Sequence, residues 1–240
     1  MHNPQRFSLP NSARIALPRR DLIIRSLAIA AAGPAAAAAS RLDALAQSGG
    51  PTLVAGDAAE HAFEFVVTVH QRAFDFELYG VLTRVASIEP SLLFTTSDPT
   101  GRDAATARLT LAGTLTGTSR TILEQVFDVN AEGTLGFYYN EAGGADPATP
   151  ESFQAGVQVA TATARLQNVI LVTAPQTGLA NGAGDLEFTA SEPFTIAESS
   201  FQFRLGAPRL RVSWFGGGTL LDPALPESIV QVAGQSWLAG

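Results

Sequence analysis

The 240-residue chain contains no cysteine and no lysine, and its one methionine is Met1. Without cysteine, disulfides cannot hold the fold together. Thiolate nucleophiles, cysteine-ligated zinc or iron–sulfur sites, c-type haem attachment and blue-copper centres are excluded with them. Without lysine, the basic side chains are 15 arginines set against 22 acids, a formal charge of −7. That balance opposes the phosphate-neutralising contacts on which binding to nucleic acid or anionic lipid rests. Only three histidines occur, and only His61 and His70 lie beyond the N-terminal segment. No Gly-x-Ser-x-Gly elbow and no His-Glu-x-x-His helix is written in the chain, so neither a serine hydrolase nor a zinc protease is indicated. The expectation is a protein without metal or cofactor.

The chain opens on an address. Pro18-Arg19-Arg20-Asp21-Leu22-Ile23-Ile24 precedes Arg25, fifteen uncharged residues rich in alanine (Ser26 to Ser40), and the small-residue site Ala44-Leu45-Ala46. This arrangement resembles a bacterial twin-arginine signal peptide, with Pro18 and Ile24 departing from the usual pattern. The resemblance implies recognition of Arg19 and Arg20 by the twin-arginine translocase. It further implies folding before export, cleavage after Ala46, and a periplasmic or extracellular destination. The apolar stretch is shorter than the ~20 residues of a membrane span and is interrupted by Gly33-Pro34. No stable span is therefore expected after cleavage, an uncleaved tether being the alternative. The expected organisation is a signal peptide over 1–46, a flexible leader over 47–62 and one domain over 63–240. Residues 47–240 carry nine arginines and 20 acids, a formal charge of −11.

Beyond the leader, apolar residues recur with period two. Phe63, Phe65, Val67 and Val69 alternate with Glu64, Val66, Thr68 and His70, the signature of a half-buried strand. After Gln71-Arg72 the parity changes, and Phe74, Phe76 and Leu78 become the apolar set. A two-residue turn at Gln71-Arg72 would pair Val69 with Phe74 and Val67 with Phe76; a bulge in one long strand would change parity equally well. Further strands are expected over 107–115, 121–129, 134–139, 157–172, 184–190, 201–205, 210–215 and 229–232. Loops are expected at 97–101, 140–150, 175–182 and Gly216-Gly217-Gly218, and one short helix at Pro90 to Phe94. The fold class is all-β: a single antiparallel barrel of about eight or nine strands, with a two-sheet sandwich as the alternative.

Candidate site residues come from the few chemically distinctive positions. Arg108 and Arg165 close two copies of the same run, Ala-Thr-Ala-Arg, at 105–108 and 162–165. Each arginine lies either outward on a solvated sheet or inward, where it would anchor a carboxylate. Tyr138 and Tyr139 end a strand at a long loop, lining a barrel mouth or capping the core. Asp98 and Arg102 mark a charged loop that is a β-turn or the rim of a site. Asp128-Val129-Asn130-Ala131-Glu132-Gly133 matches the first half of a calcium loop, but Tyr139 stands where the bidentate glutamate is needed. A hairpin loop is the favoured reading there.

Several segments carry a wider resemblance. Ala162 to Val169, Ala174 to Gly178, Gly182 to Leu186, and Leu93-Phe94-Thr95 with Ala105 to Arg108 resemble a group of bacterial exported proteins with no assigned activity. The glycine-spaced turn before Asp185-Leu186 is similar to the allene oxide cyclase and dirigent barrels, although their Gly-Gly-Thr-Gly element is missing. That similarity implies a barrel that takes an apolar ligand without a cofactor. Three functions stay open: a barrel binding a small, mostly apolar ligand, a cofactor-independent cyclase or isomerase, and a structural or cell-surface interaction domain.

Overall fold

A strand with one apolar face must bury it, and antiparallel neighbours joined by tight turns keep their apolar faces on one side. The computed structural model describes residues 50–54, 61–205, 209–222 and 227–238, all within the unit Gly49–Gly240. Arg19, Arg20, Ala44 and Ala46 lie outside the described residues. The strands are β1 (Thr52–Val54), β2 (His61–Arg72), β3 (Asp75–Val85), β4 (Leu109–Leu123), β5 (Val126–Tyr139) and β6 (Val157–Ala174). They continue with β7 (Thr177–Ser191), β8 (Phe194–Ile196), β9 (Ser199–Phe203), β10 (Leu210–Asp222) and β11 (Glu227–Leu238). Eight of them close a barrel in the order β10-β11-β2-β3-β4-β5-β6-β7, every neighbour antiparallel. The all-β barrel expected from the alternation is thus the fold, and the sandwich is not.

Short 3-10 turns at Pro90–Leu93, Pro99–Gly101 and Pro150–Gln154 are the helical segments among the described residues. A second, three-stranded sheet has the order β1-β9-β8, with β1 parallel to β9. Thr52–Val54, within the segment expected to be a flexible leader, is therefore a paired strand, and Val54 is fully buried.

The register of the first hairpin corrects the sequence reading. Val69 pairs with Leu78 and Arg72 with Asp75, so the turn is Ala73-Phe74, two residues later than expected. Ala73 takes a left-handed φ of 55°. Because the slip is an even number of residues, Val67, Val69, Phe76 and Leu78 still share the inner face. Phe74 leaves the core set and is 41 % exposed. Asp128 to Gly133 is neither a calcium loop nor a hairpin loop: it runs through the middle of β5. Asp128, Asn130 and Glu132 fall on alternate positions of that strand, ~6.6 Å apart, and cannot converge on one cation. Gly216-Gly217-Gly218 lies inside β10, hydrogen-bonded to β7 and β11 on either side. The loop expected over 175–182 contracts to the turn Pro175-Gln176. The two copies of the repeated run fall in different settings: Ala105 to Arg108 precedes β4 whereas Ala162 to Arg165 lies within β6.

The two ends of the barrel differ. The two-residue β2–β3, β4–β5 and β6–β7 turns gather at one end, with the paired Asp222 and Glu227 ends of β10 and β11, and the longer connections lie at the other. The long-connection end is sealed by aromatic rings. Phe203 of β9 stands 5.3 Å from Phe137 and 5.0 Å from Phe188, ring centre to ring centre. Phe194 of β8 lies 5.9 Å from Phe203 and 5.6 Å from Tyr139. The small sheet thus plugs the barrel with phenylalanine. Among the described residues the hairpin end has no such plug, and there the inward-facing Val69, Gln71, Phe76, Asn168 and Trp214 are only partly buried.

Candidate functional site: an apolar cavity open at the hairpin end

An eight-stranded barrel has an interior just wide enough for side chains to fill or for one small ligand. Here the packing leaves a cavity of about 90 Å³. Its floor is Phe63, Phe65 and Phe137, the inner layer of the aromatic plug, and its wall is leucine and valine from all around the barrel. Phe63 and Phe137 meet edge to face at 5.8 Å, a geometry that suits the ring quadrupoles and leaves apolar edges towards the void.

Polar groups reach the cavity only near its open end. Trp214 of β10 donates from Nε1 to Asn168 Oδ1 of β6 at 3.2 Å. Its indole has space because its cross-strand neighbour on β7 is a glycine, Gly182; its neighbour on β11, Gly234, makes room for the Phe65 ring instead. A Cβ at Gly182 would run into the Trp214 ring. Gln71 donates from Nε2 to the Ala73 carbonyl at 2.8 Å and accepts at Oε1 from the Ser228 hydroxyl at 3.3 Å. The amide is thereby turned into the rim. Among the described residues, none that lines the cavity is titratable. The interior offers dispersion contacts and hydrogen bonds, with no proton donor or acceptor of shifted pKa.

The six residues singled out from the sequence lie elsewhere. Arg165 points outward from β6, 67 % exposed, and its Nε lies 3.1 Å from Glu132 Oε1. It belongs to a row across four strands, Glu132, Arg165, Asp185 and Arg211, in which Arg211 pairs with Asp185 at 3.2 Å. Arg108 staples two loops at the plugged end, donating to the Leu92 carbonyl at 3.1 Å and the Glu141 carbonyl at 3.0 Å. Tyr139 packs on Phe194 in the plug, and Tyr138 lies on the outer wall over Gly136. Burial raises the pKa of both phenols, so both stay neutral. Asp98 caps the 3-10 turn by accepting from the Thr100 amide and hydroxyl at 2.9 and 2.8 Å. Those two bonds, and then Arg102, hold its carboxyl below the usual range. The Arg102 guanidinium lies over the Phe94 ring, 5.3 Å from its centre. The structure sets Arg102 near Asp98 and Arg108 near Tyr139, both at the plugged end, and none of the six lines the cavity.

Sequence reasoning passed over Trp214, Asn168 and Gln71. The available signal for Trp214 was an indole on the inward parity of a strand beside Gly216. What makes room for it, Gly182, lies on another strand. Among the described residues, no three His, Asp or Glu side chains gather as around a metal ion.

Fold and site together define a one-ended antiparallel barrel with an apolar interior and a charged exterior. No family model, no curated protein and no solved structure matches the chain.

Proposed function

We propose that this is an exported barrel that binds one small, mostly apolar ligand, entering end-on through the hairpin end. The observation that carries this reading is the apolar cavity of about 90 Å³ between the phenylalanine floor and the half-buried Trp214–Asn168 pair. A void of that size costs stability if left empty, through the dispersion contacts its lining forgoes. It is smaller than the ~150 Å³ engineered cavity that admits benzene. What fits is the end of a chain, with the rest of the ligand emerging past Gln71 and Trp214. Apolar inside and charged outside is the reverse of the pattern of a membrane-spanning channel barrel, in agreement with a water-exposed protein. A cyclase or isomerase that moves protons needs an acid or base within reach of its substrate. The lining supplies neither, so binding is the better supported reading. Export rests on Arg19-Arg20 and the Ala44-Leu45-Ala46 site.

The test is titration with a medium-sensitive apolar probe, read also through Trp214 emission in a Trp237→Phe background. Saturable one-to-one uptake with a blue shift of Trp214 is expected. Ala131→Leu, which places three carbons in the cavity, should abolish uptake while leaving unfolding as late as in the wild type. No saturable uptake by the wild-type protein would refute binding. Arg19→Lys with Arg20→Lys should leave the unprocessed chain in the cytoplasm, against an exported form beginning at Gln47 for the parent. Unimpaired export of the double variant would refute the address.

A further inference from the structure

The inward-facing positions of β4 are odd-numbered from Leu109 to Gly117, and on that count Arg120 belongs on the outer wall with Thr114 and Thr116. The ladder does not keep that count. Gly117 sits opposite Ala131 and Ser119 opposite Asn130, so Thr118 is an extra residue and the strand bulges. Two side-chain bonds pin the bulge: the Thr118 hydroxyl donates to the Asn130 carbonyl at 3.3 Å, and Asn130 Nδ2 donates to Ser119 Oγ at 3.0 Å. Beyond it the parity is reversed. Arg120 stands opposite Val129, a residue of the cavity wall, and shares its face. Bulges at barrel rims re-aim side chains in this way.

A second contact, from a different strand pair, holds the guanidinium at the lip of the cavity. Phe74, displaced into the β2–β3 turn, lies over Gly117 where a Cβ would collide with its ring. The Phe74 carbonyl also accepts from the Gly117 amide at 2.6 Å. Arg120 Cζ lies 5.7 Å from the centre of the Phe74 ring. The arginines of the outer wall are paired: Arg84 with Glu64, Arg165 with Glu132, and Arg211 with Asp185. At the hairpin end Arg72 is tied to Glu227. Arg120 makes no ion pair among the described residues.

We propose that Arg120 is the head-group site of the cavity and that the ligand is a single-chain carboxylic acid. Its chain end occupies the barrel and its carboxylate lies against the Arg120 guanidinium at the rim. The inference rests on the apolar-ligand reading and adds the chemistry of the polar end. A planar guanidinium presents parallel N–H donors that match a carboxylate, and the Phe74 face stabilises the cation without occupying those donors. On a chain this acidic, an unpaired arginine on the ligand side favours an anionic head over a cationic or neutral one. The anchoring role considered for Arg108 and Arg165 falls to a residue whose direction depends on a single inserted position.

Calorimetric titration of the full chain with dodecanoate and with dodecanol separates the two levels of the argument. The wild type should bind both, the acid more tightly, while Arg120→Gln should lose about tenfold in affinity for the acid and nothing for the alcohol. Arg120→Lys should retain part of the preference, and the unfolding midpoint of Arg120→Gln verifies that it is folded. Equal affinity of Arg120→Gln and wild type for dodecanoate overturns the head-group site and leaves apolar binding standing. Equal affinity of the wild type for acid and alcohol does the same. Binding of neither ligand overturns both.

Discussion

Phe137→Ala is the sharpest test of the plugged end. Phe137 is fully buried, and its ring touches Phe63, Phe188 and Phe203 at centroid distances of 5.8, 5.1 and 5.3 Å. Truncation removes roughly 150 Å² of buried apolar surface, worth ~4 kcal/mol at about 25 cal/mol per Å². Loss of the three aromatic contacts adds to this, and inward relaxation of Phe188 and Phe203 subtracts from it. The net stays near ~4 kcal/mol, inside the range of about 3–5 measured for buried Phe→Ala changes. For a domain of this size that is a fall of roughly 8–16 °C in Tm. Urea unfolding should show a lower midpoint with an unchanged slope, because the surface exposed on unfolding hardly alters. Phe137→Leu keeps most of the volume and should cost only ~1 kcal/mol. The variant also joins the space left by Phe137 to the existing cavity, so apolar solutes should restore part of the lost stability by mass action. A loss below about 1.5 kcal/mol with unchanged slope would refute a rigid plug and the floor it gives the cavity.

Gly182→Ala should displace the Trp214 ring and cost ~1–3 kcal/mol through overpacking. In a Trp237→Phe background the Trp214 emission should shift to the red, and unchanged emission would count against the Gly182–Trp214 contact. At the hairpin end, Glu227 Oε1 lies 2.8 Å from His70 Nε2 and 3.3 Å from Arg72 Nε. The His70 bond first, then the Arg72 bond, lowers the Glu227 pKa below its ordinary value. A carboxylate whose pKa is lower folded than unfolded adds stability that is complete above its unfolded pKa and is lost as pH falls through its folded one. The stability gap between wild type and Glu227→Gln should therefore be present at about pH 6 and close below about pH 4, followed by denaturant midpoints. A gap that persists unchanged at the acidic end would dismiss the clasp between β2 and β11.

The parity of Phe63 to Val69 and of Phe76 to Leu78 survived a misplaced turn because an even slip preserves which face is buried. Alternation therefore sufficed for the all-β class and for which faces are buried, while closure into a barrel rather than a sandwich was decided by the strand pairing. Loop propensity misled at Gly216-Gly217-Gly218 and at Asp128 to Gly133, where pairing on both sides satisfies the backbone whatever the local preference. The proposed export address rests on residue types in order, because a targeting segment is read as a linear string. The candidate site was not legible in that way. Arg165 sits in a strand pattern and turns out to face Glu132, a neighbour supplied by β5, while Arg108 is held by carbonyls of two separate loops.

What the sequence determined by itself is what depends on local periodicity: strands, their buried faces, and the absence of thiol chemistry. What only the tertiary structure decided is where space remains and which charges border it. The cavity has its shape because Gly182 leaves room for Trp214 and Gly234 for Phe65 across two ladders, and because β8 and β9 fold their phenylalanines into the long-connection end. Arg120 reaches its rim because Thr118 is one residue too many for the ladder between β4 and β5. A void and a bulge are properties of strands in register, and register is set by side chains far apart in the chain packing against one another.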